Sequence, residues 1–105
     1  MSEYNAIVKS HDIKLSGDGE RLLFYMDLEL PNSGGVGFMF DGPVSDSDNN
    51  SFAHGLSEVM KVLDVSEVSE IDGRPLIAVF DGEMFLGSKI IGIRHFLGKY
   101  SFIEK

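Results

Sequence analysis

Three histidines, seventeen carboxylates and nine basic side chains are the groups that can do chemistry in this chain. Ser10-His11-Asp12 has the residue types of a nucleophile–base–acid relay. On a strand, neighbouring side chains point to opposite faces, so His11 would face away from both partners and no relay forms. His54 and Glu58 stand one helical turn apart, with Asp46 and Asp48 just upstream. One imidazole and three carboxylates have the donor types of a metal site. The competing reading is an exposed pair on a polar helix face. Asp46-Ser47-Asp48-Asn49-Asn50 begins like a calcium loop, but Ser51 stands where glycine is needed and Ser57 where glutamate is needed. A solvated loop that caps the next helix fits better. We therefore expect no metal and no cofactor.

Arg94, His95, Lys99 and Tyr100 form a second constellation, with Lys89, Lys105, Phe85, Phe96 and Phe102 around it. Interleaved cations and aromatics suit a phosphorylated small ligand, if they converge. The opposing reading places His95 in the core beside Ile91 and Ile93, with Arg94 turned outward. Gly34-Gly35-Val36-Gly37 has the glycines of a phosphate loop, but a strand follows it where a helix is required. Those glycines fit a hairpin and a strand with little side-chain bulk, which could leave room for a ligand over that face.

The elements that must position these groups follow from periodicity. Leu22, Phe24, Met26, Leu28 and Leu30 alternate with Leu23, Tyr25, Asp27 and Glu29, which predicts a half-buried strand. Ala6 to Leu15 predicts another, with a break near Ser10–Asp12 that suggests a bulge or an edge. Ser16-Gly17-Asp18-Gly19-Glu20 and Pro31-Asn32-Ser33-Gly34-Gly35 are turns, and Val36, Phe38 and Phe40 continue the pattern. Phe52, Leu56, Val59, Met60 and Leu63 recur at helical spacing behind a cap at Asn50 or Ser51. Asp64 to Asp72 predicts a turn plus a short helix. Leu76 to Phe80 is a strand covered on both faces, and Ile90, Ile91, Ile93 and Phe96 mark the next. Tyr100, Phe102 and Ile103 open a sixth. The expected fold is a single α+β domain over residues 1–105. Its sheet has five to six mostly antiparallel strands in the order β-β-β-α-β-β, with one main helix on one face.

Composition narrows function by exclusion. The chain has 105 residues, 43% hydrophobic and 25% charged, enough for one packed core. With no cysteine, thiol catalysis, disulfides and Cys-ligated metals are excluded. No apolar run approaches the length of a membrane span, and the polar N-terminus does not read as a signal peptide. A cytoplasmic location is expected. The net charge is −8. Residues 41–72 hold eight acidic and one basic group, net −7, whereas residues 73–105 hold three acidic and five basic groups, net +2. A nucleic-acid-binding chain needs a basic footprint, so no direct nucleic-acid contact is expected. No arrangement supports an enzyme.

Several segments carry a resemblance. The glycine-rich hairpin Gly34-Gly35-Val36-Gly37-Phe38 is followed by a helix, then Leu63-Asp64-Val65-Ser66-Glu67-Val68 and Ile71-Asp72-Gly73-Arg74-Pro75. Ile91-Gly92-Ile93-Arg94-His95-Phe96 and Lys99-Tyr100-Ser101-Phe102 close the chain. From about residue 22 onward this pattern resembles a group of small phage and prophage proteins. The resemblance implies a mobile-element setting, in which small acidic proteins bind a host protein and carry out no chemistry. Such proteins can act as inhibitors of a host defence or nucleic-acid-processing machine. Their carboxylates then sit where phosphates would. Here Asp41, Asp46, Asp48, Glu58, Glu67 and Glu70, with Asp64 and Asp72, would form that surface toward a host protein with a basic surface. Two other readings stay open: capture of a small phosphorylated ligand, with a homo-oligomer completing the pocket, and a virion or assembly accessory role.

Overall fold

The fold is taken from a computed structural model that describes residues 2–31, 34–44, 51–82, 90–98 and 100–103. Strands β1 (Ser2–Leu15), β2 (Arg21–Leu30) and β3 (Gly34–Pro43) lead into helix α1 (Ser51–Leu63). A 3₁₀ turn at Val68–Glu70 precedes β4 (Pro75–Phe80), β5 (Ile90–Arg94) and β6 (Ser101–Ile103). The six strands form one sheet in the order β3-β2-β1-β4-β5-β6, with every neighbouring pair antiparallel. The expected α+β architecture is the one observed.

The long strand β1 joins two halves. Ser2 to Ile7 pairs with β4, and Ile7 to Leu15 pairs with β2. The register shifts between Val8 and Ser10. One extra residue reverses the inside–outside parity. Ala6 and Val8 are buried before the shift, whereas His11 lies opposite the buried Met26 after it. The irregularity foreseen near Ser10–Asp12 thus falls slightly earlier. Along β2 the alternation is clean, with Phe24, Met26, Leu28 and Leu30 buried.

Helix α1 buries Phe52, Val59, Val62 and Leu63 against strands from both halves. Its end is fixed by two bonds, Val65 N–H to Met60 O and Asp64 N–H to Lys61 O. Together they make a Schellman cap, with Asp64 taking the left-handed conformation (φ 59°) that glycine usually supplies. At Gly55 the helix comes so close to β3 that an added Cβ would sit 2.6 Å from the Phe40 ring.

Aromatic rings tie the two ends of the sheet together. Phe40 lies 5.1 Å from Phe24, 5.7 Å from Phe52 and 6.3 Å from Phe102, centroid to centroid. Phe38 lies 6.1 Å from Phe102. β3 and β6 are opposite ends of the sheet order, so these contacts require the sheet to curl around its core.

The C-terminal strands need two corrections. β5 stops at Arg94, and Phe96 lies beyond it in the turn, 47% exposed. Phe80 pairs with Ile90 while Val79 pairs with Gly92, so Ile91 is the extra residue of a bulge. Ile90 and Ile93, rather than Ile91, therefore pack on the core.

Candidate functional site

The structure separates the acidic residues into distinct settings. Asp41 lies on the sheet face away from α1, opposite Leu23. Arg21 grips it at two points, Nε to Oδ2 at 2.8 Å and Nη2 to Oδ1 at 3.0 Å. Those hydrogen bonds, more than the charge itself, hold the Asp41 carboxyl below the usual carboxylate range. Glu58 sits on the other side, on α1. It accepts a hydrogen bond from the Tyr100 hydroxyl and stands 3.5 Å from His54 Nε2. That bond keeps the proton on Tyr100, raising its pKa, with burial and the Glu58 charge adding to the shift. Lys61 lies 5.7 Å from the Tyr100 ring centroid. Asp41 and Glu58 are thus on opposite faces of the sheet, each already partnered. Asp46 and Asp48 lie outside the described residues, so the metal reading keeps only His54 and Glu58 here. Among the described residues no group of three or more His, Asp or Glu is placed to hold a metal.

Glu67 and Glu70 do come together. They form a reciprocal capping box around the 3₁₀ turn. Glu70 accepts from the Ser66 N–H at 3.1 Å, the Ser66 hydroxyl at 3.1 Å and the Glu67 N–H at 2.9 Å. These bonds, led by the Ser66 amide, lower its pKa, and Arg74 adds a small Coulombic contribution. The loop is anchored at its far end. Ile71 is fully buried, Gly73 N–H bonds to Val8 O at 2.7 Å, and Val8 N–H bonds to Arg74 O at 2.9 Å.

Among the described residues the basic–aromatic set does not converge. Arg94 faces outward as expected and pairs with Glu3 across β4. Its Nε is buried without a hydrogen-bond partner. His95 is buried, 3% exposed, and its Nδ1 accepts the Leu97 N–H at 3.0 Å. That bond assigns the neutral tautomer with the proton on Nε2. Tyr100 turns toward α1 and Glu58, on the opposite face from Arg94. Lys99 lies outside the described residues, as do Lys89, Phe85 and Lys105. The open space expected over the glycine-rich strand is filled at Gly37, where the Tyr25 ring covers the backbone.

Two features escaped the sequence reading. His11 Nδ1 meets Asp72 Oδ1 at 2.6 Å, 61 residues away in the chain. The bulge in β1 turns His11 inward toward that loop, and no local pattern reports the pairing. Two shallow clefts also border β3. One, about 360 Å³, runs along Phe38–Asp41 with Phe102 across from it. The other, about 280 Å³, is floored by Leu15, Leu23, Tyr25 and Met39 and edged by Asp12 and Lys14.

No helix among the described residues is long and apolar enough to cross a membrane. No protein-family model matches the chain, and no curated protein and no solved structure matches it significantly.

Proposed function

We propose that this chain is a non-catalytic binding protein whose partner is a protein with a basic surface. In the phage setting that the sequence pattern implies, the partner is a host protein of a defence or nucleic-acid-processing machine. One observation carries the reading: the rigid acidic loop from Asp64 to Asp72. Four carboxylates, Asp64, Glu67, Glu70 and Asp72, lie on a segment fixed by a Schellman cap, a capping box and the bonds to Val8. A loop that is already ordered loses little freedom on binding. Its charge adds long-range attraction and orientation. Asp41 and Glu58 lie outside this centre, on β3 and α1. The phosphorylated-ligand reading loses support because Arg94 and Tyr100 face opposite ways.

The test is affinity capture from host lysate at low and high salt, with wild type and an Asp64→Asn/Glu67→Gln variant. Asparagine tolerates the left-handed backbone at position 64, so the fold is kept. We expect a stoichiometric protein that salt releases and the variant fails to hold. Capture that ignores both salt and the substitutions, or retention of a phosphorylated metabolite alone, would overturn the reading.

A further inference from the structure

The bulge in β1 does more than turn side chains over. It also changes which residues bond to which neighbouring strand. Ahead of it, Val8 N–H bonds to Arg74 O at 2.9 Å and Gly73 N–H bonds to Val8 O, so the even-numbered residues face β4. Behind it, Ser16 N–H bonds to Arg21 O at 2.9 Å, so Lys14 and Asp12 bond to Leu23 and Tyr25 of β2. The β2–β3 ladder agrees. Val44 N–H bonds to Glu20 O, which gives the even-numbered residues of β2 to β3 and leaves the odd-numbered ones for β1. His11, Ile13 and Leu15 therefore turn their N–H and C=O groups to the side that β4 occupies earlier along β1.

β4 does not reach them. It pairs with Ser2 to Ile7 and begins at Pro75, where the chain arrives from the acidic loop. Among the described residues no hydrogen bond meets the main chain of His11, Ile13 or Leu15 from that side. Helix α1 packs on β2 to β6, and Ile13 and Leu15 are 40% and 58% exposed. On the other face of the sheet lies the cleft of about 280 Å³, floored by Leu23, Tyr25 and Met39 and rimmed by Asp12 and Lys14. Lys14 is the cation that would guard this edge, and Asp12 at 3.4 Å offsets its charge. At the head of the slot stands the half-exposed Asp72, with Glu70, Glu67 and Asp64 behind it.

We propose that this slot takes an extended segment of the partner protein, paired antiparallel to His11–Leu15 as a continuation of β4. The inference rests on the acidic-loop reading and names how that partner docks. His11, Ile13 and Leu15 would each exchange two main-chain hydrogen bonds with the segment. The segment's residues opposite Ile13 and Leu15 share their face, so they are apolar. The residue opposite Asp12 points to the cleft side. A lysine or arginine suits it, with the stem over the apolar floor and the head group at Asp12. The segment's C-terminal end meets Asp72 and the acidic loop, where a second cation is favoured.

The probe is the blocked hexapeptide Val-Thr-Val-Lys-Val-Lys, with a control in which glutamate replaces both lysines. Binding is read by fluorescence anisotropy, and the site by amide hydrogen exchange. We expect the lysine peptide to bind at least tenfold more tightly than the control. It should slow exchange at His11, Ile13 and Leu15, while Asp12 and Lys14, already in the β2 ladder, stay as they were. Ile13→Pro removes an outward N–H and leaves the β2 ladder whole, and Leu15→Lys sets a cation against the peptide. Each should weaken binding by about tenfold, with circular dichroism unchanged. No binding at millimolar peptide, equal binding of the control, or binding that leaves the three amides fast would overturn the proposal. So would protection that rises with protein concentration alone, since a second copy would then hold the slot. A captured protein that Asp64→Asn/Glu67→Gln releases and Ile13→Pro and Leu15→Lys both retain would uphold the acidic loop and overturn the slot.

Discussion

The two end ladders of the sheet, β2–β3 and β5–β6, each close over a glycine, and they do so differently. At Gly37 an added Cβ would lie 2.6 Å from the Tyr25 ring, a side chain 42% exposed. At Gly92 it would lie 2.5 Å from Phe102 O and 2.6 Å from Ile103 Cα, both backbone atoms. A half-exposed ring can swing into water, whereas a paired strand can yield only by leaving. The first glycine is covered by a movable lid, and the second is a fixed spacing between strands. Gly55 is intermediate, since the Phe40 ring against it is locked in the aromatic cluster. Steric crowding of similar closeness therefore has three different consequences, set by what the neighbouring atom belongs to.

Three substitutions test that ordering. Gly92→Ala should be the most damaging, at about 3 kcal/mol or more in urea unfolding, because β6 must separate and withdraw Phe102 from Phe38 and Phe40. Gly55→Ala should cost a net of about 1–2 kcal/mol, as the clash with Phe40 outweighs a helix-propensity gain of about 1 kcal/mol. Gly37→Ala should stay within about 1 kcal/mol of wild type, since Tyr25 can turn outward and alanine reduces unfolded-chain entropy. Equal losses at Gly37 and Gly92 would erase the distinction between ring and backbone neighbours.

The two ladders should also fail at opposite ends of the pH scale. Asp41 beside β2 has a depressed pKa, chiefly through the Arg21 hydrogen bonds. So has Asp18 in the β1–β2 turn, chiefly through the Ser16 hydroxyl. A depressed carboxyl stabilises the fold above its unfolded pKa, and that stability is lost as pH falls through its folded pKa. Tyr100 beside β6 is raised, so its contribution is complete below the ordinary phenol range and is lost as pH rises through the folded pKa. Urea midpoints measured against pH should therefore fall on both sides. Arg21→Gln should make the acid limb shallower, with Asp18 and Glu70 keeping the rest of it, and Tyr100→Phe should act on the alkaline limb alone. If either variant moved the other limb, the two settings would be coupled.

Much of the fold was legible because it is local. The even-numbered face of β2, the stripe on α1 and the double-sided burial of β4 each repeat within a few residues, and periodicity reports such repeats. The β1 bulge was readable as a break in alternation, but its position was not, since bonds from Gly73 and Arg74 flank it. The candidate site was much less legible. Tyr100 reaches Glu58 over 42 residues, His11 reaches Asp72 over 61, and Arg94 reaches Glu3 over 91. Sequence spacing carries no signal for contacts that distant.

Element types, oily faces, the absence of thiol chemistry and the concentration of negative charge in residues 41–72 can all be read along the chain. All of these follow from composition or short-range repetition. Folding in three dimensions is what makes β1 bridge two halves, brings Phe102 to Phe38 and Phe40, and puts Asp41 and Glu58 on opposite faces. Those outcomes depend on strand order and sheet curl, which are settled by how apolar faces find one another across the whole chain.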